Sequence, residues 1–259
     1  MDTKGKEVIG VIGGSGIDQL DGLEGVRQET VTTPFGSPSD ALILARLDQQ
    51  DLVFLPRHGR GHRIPPSQIN FRANIYALKM MGCTQIISLS AVGSLKEEIC
   101  PGTFVVIDQF IDRTFSRTKS FFDSGLVGHV ALGNPVCARL RERLLSAAQA
   151  SGVEAIDGGT YLAMEGPQFS TRAESELYRN WGCDVIGMTN MPEAKLAREA
   201  EICYATVAMV TDFDCWHPDH DDVTVETILQ VLTSNSAKAS SLLARAVPRG
   251  SGDNFPCPH

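Results

Sequence analysis

The chain has no excess of positive charge, no long apolar run and no closely spaced cysteines, and each absence removes a class of function. With Lys and Arg at 23 against 31 Asp and Glu, the net charge of -8 is the wrong sign for a surface that binds a polyanion, so nucleic acid is not an expected partner. No apolar segment approaches the roughly 20 residues that span a bilayer, so no membrane partner is expected either. The seven cysteines show no C-x-x-C spacing, which argues against a zinc site or a disulfide frame and for reduced thiols in a cytoplasmic protein. The start, MDTKGKEVIGVIGG, lacks the basic stretch and apolar core of a signal peptide. Neither G-x-G-x-x-G nor G-K-[ST] occurs, so a dinucleotide fingerprint and a P-loop are both missing.

What is present is an alternation. Short β-branched runs (EVIGVIGG at 7–14, DLVFLPRHG at 51–59, TQIISLSAVGS at 84–94, FVVIDQFID at 104–112, TYLAMEG at 160–166, DVIGMTN at 184–190, ATVAMVTD at 205–212) are separated by segments of helical period. Continuous apolar runs suit strands covered on both faces. Between them, residues 67–82 place Ile69, Ala73, Tyr76 and Met80 on one face, and Asn134 with Pro135 reads as a helix start before Val136, Leu140, Leu144 and Ala148. TRAE at 171–174 fits a capping box. Asn190, Pro192 and Glu193 read as N-cap, first-turn proline and first-turn acid of another helix, and a last helix over about 223–246 carries Val225, Ile228, Leu229 and Leu232 on one stripe. The prediction is a single α/β domain over residues 1–248, with a mixed, mostly parallel central sheet flanked by helices and a mobile Pro- and Gly-rich tail at 249–259.

Ligands of such sheets gather where strands end. The first run ends in GGSG, where Ser15 adds a hydroxyl to converging backbone amides, although taken alone the stretch reads better as a tight turn. The second ends in PRHGRGHR (56–63); Arg57 suits an oxyanion bidentately and His58 adds a donor. Ser90, Ala91 and Gly93 are small, and Thr189 stands at a helix start, where anions are favoured. The last strand ends in Asp212, Phe213 and Asp214. Residues two apart on a strand share a side, so both carboxylates face one pocket while Phe213 packs. Taken alone the two acids read as a cap or ion pair. Opposite the basic set they make a bipolar pocket, suited to a ligand with an anion at one end and an amine at the other.

The motifs GVIGGSGI, TPFGSPSDALI, RHGRGH, INFRANIYALK, SAVGSLKEEICPG, DQFIDRT, EGPQFSTRAE, GMTNMPEAKLAREA and TDFDCW, spread over residues 8–247, together resemble the 5'-methylthioadenosine phosphorylases in the trimeric group of purine nucleoside phosphorylases. The resemblance implies reversible phosphorolysis of a purine nucleoside, with inorganic phosphate as co-substrate and no cofactor or metal, giving adenine and 5-methylthioribose 1-phosphate. It places phosphate at Ser15, Arg57, His58, Ser90, Ala91 and Thr189, with Ser15 where threonine is common. Met188 would lie on the ribose, Phe169 on the purine, and Asp212 and Asp214 at N7 and the 6-amino group, Asp212 as general acid. Val225, Ile228 and Leu229 would accept the methylthio group, and His129, near Phe122, would reach a neighbouring subunit's pocket in a homotrimer. The 6-oxopurine enzymes carry Asn at the position of Asp212 and FET where this chain has FST at 169–171, so a 6-oxopurine or methylthioinosine phosphorylase is the alternative that these residues disfavour. A shorter C-terminal segment implies a more open 5' end that admits adenosine. A hydrolase would not need the anion set, a nucleotide-binding module would not need Asp212, and a thiol enzyme at Cys215 has no adjacent activating His.

Overall fold

A computed structural model describes residues 7–14, 20–218 and 225–247, with the side chains of 225–230 and 232–234 excepted. Ser15, the tail from 248 onward and the side chains of Val225, Ile228 and Leu229 thus lie outside the described residues.

Every apolar run contributes to one eleven-stranded sheet, each as one strand except 104–112, which gives two. β1 (Val8–Gly13) is buried throughout, as a strand covered on both faces must be. β2 (Leu23–Glu29), β3 (Leu42–Leu47) and β4 (Gln50–Pro56) follow, then β5 (Cys83–Ser94), β6 (Phe104–Val106), β7 (Gln109–Asp112), β8 (Ala155–Asp157), β9 (Thr160–Ala163), β10 (Val185–Gly187) and β11 (Cys203–Asp212). The order β2-β3-β4-β1-β5-β10-β9-β7 branches at β5, which also pairs in parallel with β11; β11 in turn carries β6 and β8. Six of the strand pairings are parallel and four antiparallel, the mixed sheet expected. Of the β2–β3–β4 meander only β4 was legible, as the apolar run at 51–59. β2 is an edge strand with an exposed, charged sequence, LEGVRQE, and carries no apolar periodicity to read. The predicted run 104–112 is broken in two because β6 pairs with β11 and β8 whereas β7 pairs with β9.

Helices cover both faces: α1 (Phe71–Met80), α2 (Ala138–Ala150), α3 (Arg172–Asn180), α4 (Asn190–Glu199) and α5 (Val225–Ala246). One core lies between the sheet and α1 and α4, with Ile75, Leu78, Ile86, Leu196 and Ala197. A second lies under α2 and α5, with Leu140, Leu144, Ile87, Val207, Leu242 and Leu243. The predicted stripe Val136, Leu140, Leu144 and Ala148 is buried as expected, but Met80 of the α1 stripe is 49% exposed, at the helix end. Thr171 and Glu174 form the predicted capping box on α3. Asn70 caps α1 by accepting from Ala73 N. Two predicted starts are displaced: α2 begins after Cys137 rather than Asn134, and the N-cap position of α4 is Thr189, with Asn190 turned inward.

Candidate active site

Parallel register brings the expected residues to one edge. Gly13 of β1 aligns with Pro56 of β4, Ile12 with Ser88 of β5, Ser90 with Ala208 of β11, and Gly93 with Asp212. The first turn after β4 is tied to β1 by Arg57 N donating to Gly13 O at 2.8 Å.

Arg57 does not present its fork to solvent. Its buried guanidinium donates from Nε to Glu193 Oε2 at 2.8 Å, from Nη2 to Glu193 Oε1 at 3.1 Å and Ser88 Oγ at 2.6 Å, and from Nη1 to Leu89 O at 2.9 Å. Of the five N–H groups of an arginine, a single Nη1–H remains for an anion, so the bidentate mode expected from sequence is taken by Glu193. Burial opposes the charge on Arg57, but the Glu193 carboxylate outweighs it and raises the pKa. The same carboxylate accepts from Ser88 Oγ and Tyr204 Oη, each at 2.8 Å. Asn190 donates to Ser88 Oγ and Tyr204 Oη and accepts from Thr206. Every member of this network has partners, which is what a buried charge pair requires. Sequence reasoning gave Asn190 and Glu193 to helix initiation; only the tertiary fold shows them holding Arg57.

His58 is also buried. Its Nδ1 lies 2.9 Å from Ile64 O, and a carbonyl only accepts, so Nδ1 carries the hydrogen and neutral Nε2 is an acceptor. Burial first, then the Arg57 and His62 charges, push its pKa down to about 4 against the Ile64 hydrogen bond. The ring stacks on His62 at 4.1 Å. His58 is thus positioned to accept from a protonated oxyanion, where the sequence suggested a donor.

Ser90 and Thr189 meet, Oγ to Oγ1, at 3.3 Å. Ser90 Oγ also lies 3.1 Å from Tyr161 Oη and reaches Ala91 O at 3.3 Å. Ala91 is half-buried on β5 beside them.

At the opposite end, three residues further along β5, a side chain on Gly93 would place Cβ 2.8 Å from Asp212 Oδ1 and 3.2 Å from Ile186. Only glycine admits the Asp212 carboxylate there. Asp212 Oδ2 accepts from Thr211 Oγ1 at 2.6 Å and Oδ1 from Asp214 N at 2.8 Å. Asp214 is not on the strand. It follows in a turn with φ of 52°, so the alternation argument fails and an Asx-type turn brings the two carboxyls together instead. Both are pushed up: Asp212 by burial against the pull of Thr211 and Asp214 N, and Asp214 to about 6, by burial first, with the Ser175 hydroxyl opposing and the Asp212 charge adding. Asp214 Oδ2 is buried without a hydrogen-bond partner. Phe213 packs against Trp216 as expected.

Met188 follows β10 and Phe169 follows β9. Met188 is half-buried and Phe169 is 41% exposed. The backbone at Met188 is held by Arg117, which the sequence reading passed over. All five of its N–H groups are used: Nε on Glu165 Oε1, Nη1 on Met188 O and Met191 O, Nη2 on Met164 O and Glu165 O. Burial would raise the Glu165 pKa, but hydrogen bonds from Phe115 N and from the Ser116 hydroxyl and amide hold it down at about 2. His129 lies in an exposed stretch of the connection between β7 and α2, together with exposed Phe122, Leu126, Val127 and Val130. Cys83, Cys100, Cys183 and Cys215 are free thiols, whereas Cys203 is disulfide-bonded, a departure from the expectation of reduced thiols throughout. Cys215 contacts Ser170 O, and burial and the Asp214 charge raise its pKa, the opposite of an activated nucleophile.

The fold and sequence match those of a known group. The model of the Phosphorylase superfamily matches residues 8–248. The S-methyl-5'-thioadenosine phosphorylase of Rhodospirillum rubrum is 61% identical over 252 residues, 97% of this chain and 85% of its own, and that of Bradyrhizobium diazoefficiens is 60% identical over 251 residues, 97% and 86%. Among solved structures, a methylthioadenosine phosphorylase from an antarctic soil metagenomic library superposes with a TM-score of 0.89 at 47% identity, covering 94% of this chain and 86% of its own. The methylthioadenosine phosphorylase of Schistosoma mansoni in complex with adenine gives 0.89 at 39% identity, covering 93% and 91%. The chain belongs to the phosphorylase superfamily, in the methylthioadenosine phosphorylase family of purine nucleoside phosphorylases.

Proposed function

We propose that the protein catalyses reversible phosphorolysis of S-methyl-5'-thioadenosine to adenine and 5-methylthioribose 1-phosphate, as a step of purine and methionine salvage. The observation that carries this reading is the Asp212–Asp214 pair, a half-buried and a buried carboxyl joined through Asp214 N, both with raised pKa values and set beside Gly93 on β5, three residues along that strand from Ser90. Three residues of strand span about 10 Å, room for a ribosyl group and part of a purine between the two ends. The Schistosoma mansoni relative, solved with adenine, supports a purine as the base.

In this reading phosphate occupies the Ser90–Thr189 end with the amide region of Ala91, one Nη1–H of Arg57, the His58 Nε2 acceptor and Ser15, which lies outside the described residues. Ribosyl C1 moves from N9 of the purine to a phosphate oxygen. Positive charge grows on the sugar and negative charge on the departing base, as in other glycosyl transfers through oxocarbenium-like states. The anion stabilises the first charge. The second is neutralised by a proton delivered to N7 from the Asp212–Asp214 pair, with Asp212 as general acid. Two carboxyls this close titrate as a pair. Asp214 Oδ2, buried and without a partner, is the acceptor that a 6-amino group satisfies, whereas a 6-oxo group would set two acceptors against each other. Met188 contacts the ribose and Phe169 the base, and Val225, Ile228 and Leu229 receive the methylthio group. No metal or organic cofactor enters this scheme.

The exposed apolar residues Phe115, 83% exposed, Leu126, Val127 and Val130 support a homotrimer in which His129 and Phe122 complete a neighbouring pocket. No helix among the described residues is long and apolar enough to cross a membrane, which is compatible with a cytoplasmic enzyme.

The deciding experiment incubates the purified protein with methylthioadenosine, adenosine and inosine, with and without phosphate, and follows free base. Adenine release that requires phosphate is expected. Release without phosphate would reject phosphorolysis, and inosine cleaved as well as methylthioadenosine would favour the 6-oxopurine reading.

A further inference from the structure

Behind Ser90 and Thr189 stands Tyr161, on β9, with no exposed surface. Its hydroxyl lies 3.1 Å from Ser90 Oγ and accepts from Thr189 N at 3.4 Å. We propose that Tyr161 is a positioning residue for the oxyanion co-substrate, its hydroxyl fixing the Ser90 hydroxyl as a donor into the anion site. This inference rests on the assignment of phosphate to the Ser90–Thr189 end.

The argument is one of hydrogen-bond polarity. A backbone N–H can only donate, so at Thr189 the phenol oxygen is the acceptor. Its single hydrogen is then free for its other neighbour, Ser90 Oγ. A serine that accepts from the phenol keeps its own hydrogen to give. Within the chain that hydrogen has two outlets, Ala91 O and Thr189 Oγ1, both at 3.3 Å, long for an O–H···O bond. An anionic oxygen is a stronger acceptor than either. The phenol therefore holds a donor in reserve for an anion.

Packing holds the phenol at this point. The Tyr161 ring lies edge-on to Phe110 at 5.7 Å, and a Cβ at position 187 would fall 2.0 Å from its hydroxyl. Gly187, immediately before the Met188–Thr189 segment on β10, is the residue that leaves the hydroxyl its place. The arrangement joins three strands, β5 with Ser90, β9 with Tyr161 and β10 with Gly187, so it sets the spacing between the two serine and threonine donors as well as their polarity.

Tyr161→Phe removes one oxygen and keeps the volume, which makes it the variant of choice. Steady-state kinetics with phosphate and methylthioadenosine varied separately would be measured for wild type, Tyr161→Phe, Ser90→Ala and the double variant, with Tm recorded for each. One well-placed hydrogen bond is worth about 1 kcal/mol, so the KM for phosphate should rise roughly five- to tenfold in Tyr161→Phe while the KM for the nucleoside moves less than about twofold. Because Tyr161 acts through Ser90, the double variant should add less than about twofold to the effect of Ser90→Ala. A rise with Ser90→Ala but none with Tyr161→Phe would overturn the positioning role alone. No rise with Ser90→Ala would overturn the phosphate assignment beneath it. Equal increases in both KM values accompanied by a loss of Tm would also overturn the proposal, since that is what a purely structural tyrosine gives.

Discussion

Asp214 is the residue at which structure and chemistry diverge most from simple strand logic. With a carboxyl moved from 3.8 to about 6, the folded protein holds a proton that the unfolded chain has released between those pH values. The stabilisation this represents is complete below pH 3.8 and is lost as pH rises through about 6. A shift of this size corresponds to roughly 3 kcal/mol. Unfolding free energies measured at pH 4 and pH 7 should therefore fall further with rising pH in wild type than in Asp214→Asn, which has no charge to bury. The kinetic counterpart has the same sign: kcat/KM for the nucleoside should decline as pH rises through about 6, because the pair loses the proton destined for N7. In Asp214→Asn that limb should disappear from the pH–rate profile. At Asp212 the expected effect is on choice of base. Asp212→Asn should lower kcat/KM for methylthioadenosine by tenfold or more, by about the one to three kcal/mol of a buried unsatisfied contact, and raise the relative rate with inosine. An unchanged ratio of the two would remove Asp212 from base recognition.

At the level of elements, the site is assembled by connections more than by strands. Arg117 sits in the long connection between β7 and α2, yet its donors close on carbonyls of residues 164, 165, 188 and 191, joining the segment after β9 to the segment after β10. Both segments carry site residues, Phe169 on one and Met188 with Thr189 on the other. Removing a buried charge and leaving its partners unpaired costs about 3–5 kcal/mol. Arg117→Met should reduce stability by that order in urea unfolding, with Glu165 and the four carbonyls left without their donor. Arg117→Lys, with three donors in place of a planar fork, should recover only part of the loss. The network of Arg57, Glu193, Ser88, Asn190 and Tyr204 performs the corresponding task between β4, β5, α4 and β11. The start of α4 shows why helix-start rules missed it: they describe a local preference of Asn and acidic residues, and here both side chains are recruited by a charge contributed from another strand.

At the scale of the whole molecule, among the described residues the connection between β7 and α2 exposes Phe115, Leu126, Val127 and Val130. Such a patch is normally covered by a partner. If a homotrimer buries it, Val127→Asp should shift the mass seen by size-exclusion chromatography with light scattering toward the monomer, and should raise the KM for the nucleoside as the pocket loses its neighbour's contribution. A wild-type monomer at assay concentration would dispose of the shared pocket. The sheet itself explains why such a site needs no dedicated domain: branching at β5 places β1, β10 and β11 beside a single strand, with β4 next to β1, and the loops that follow them carry the donors and acceptors.

The apolar runs of the sequence determined most of the sheet, because strands covered on both faces must be apolar along their length, and β1, β5 and β11 were legible for that reason. The ordered motifs determined the family, and the residue types at strand ends singled out Arg57, His58, Ser90, Thr189, Asp212 and Asp214, of which Ser90 meets Thr189 and Asp212 meets Asp214. The tertiary structure alone decided what those residues can still offer a ligand. Glu193 takes the Arg57 fork, Ile64 O sets the His58 tautomer, a left-handed turn brings Asp214 to Asp212, and Tyr161 with Arg117 orders the segments between. Each of these depends on a partner 2 to 136 residues away in sequence, and most of these separations are far beyond the reach of periodicity or local spacing. Hydrogen-bond polarity and burial depend on which groups meet, and the chain settles that only by folding.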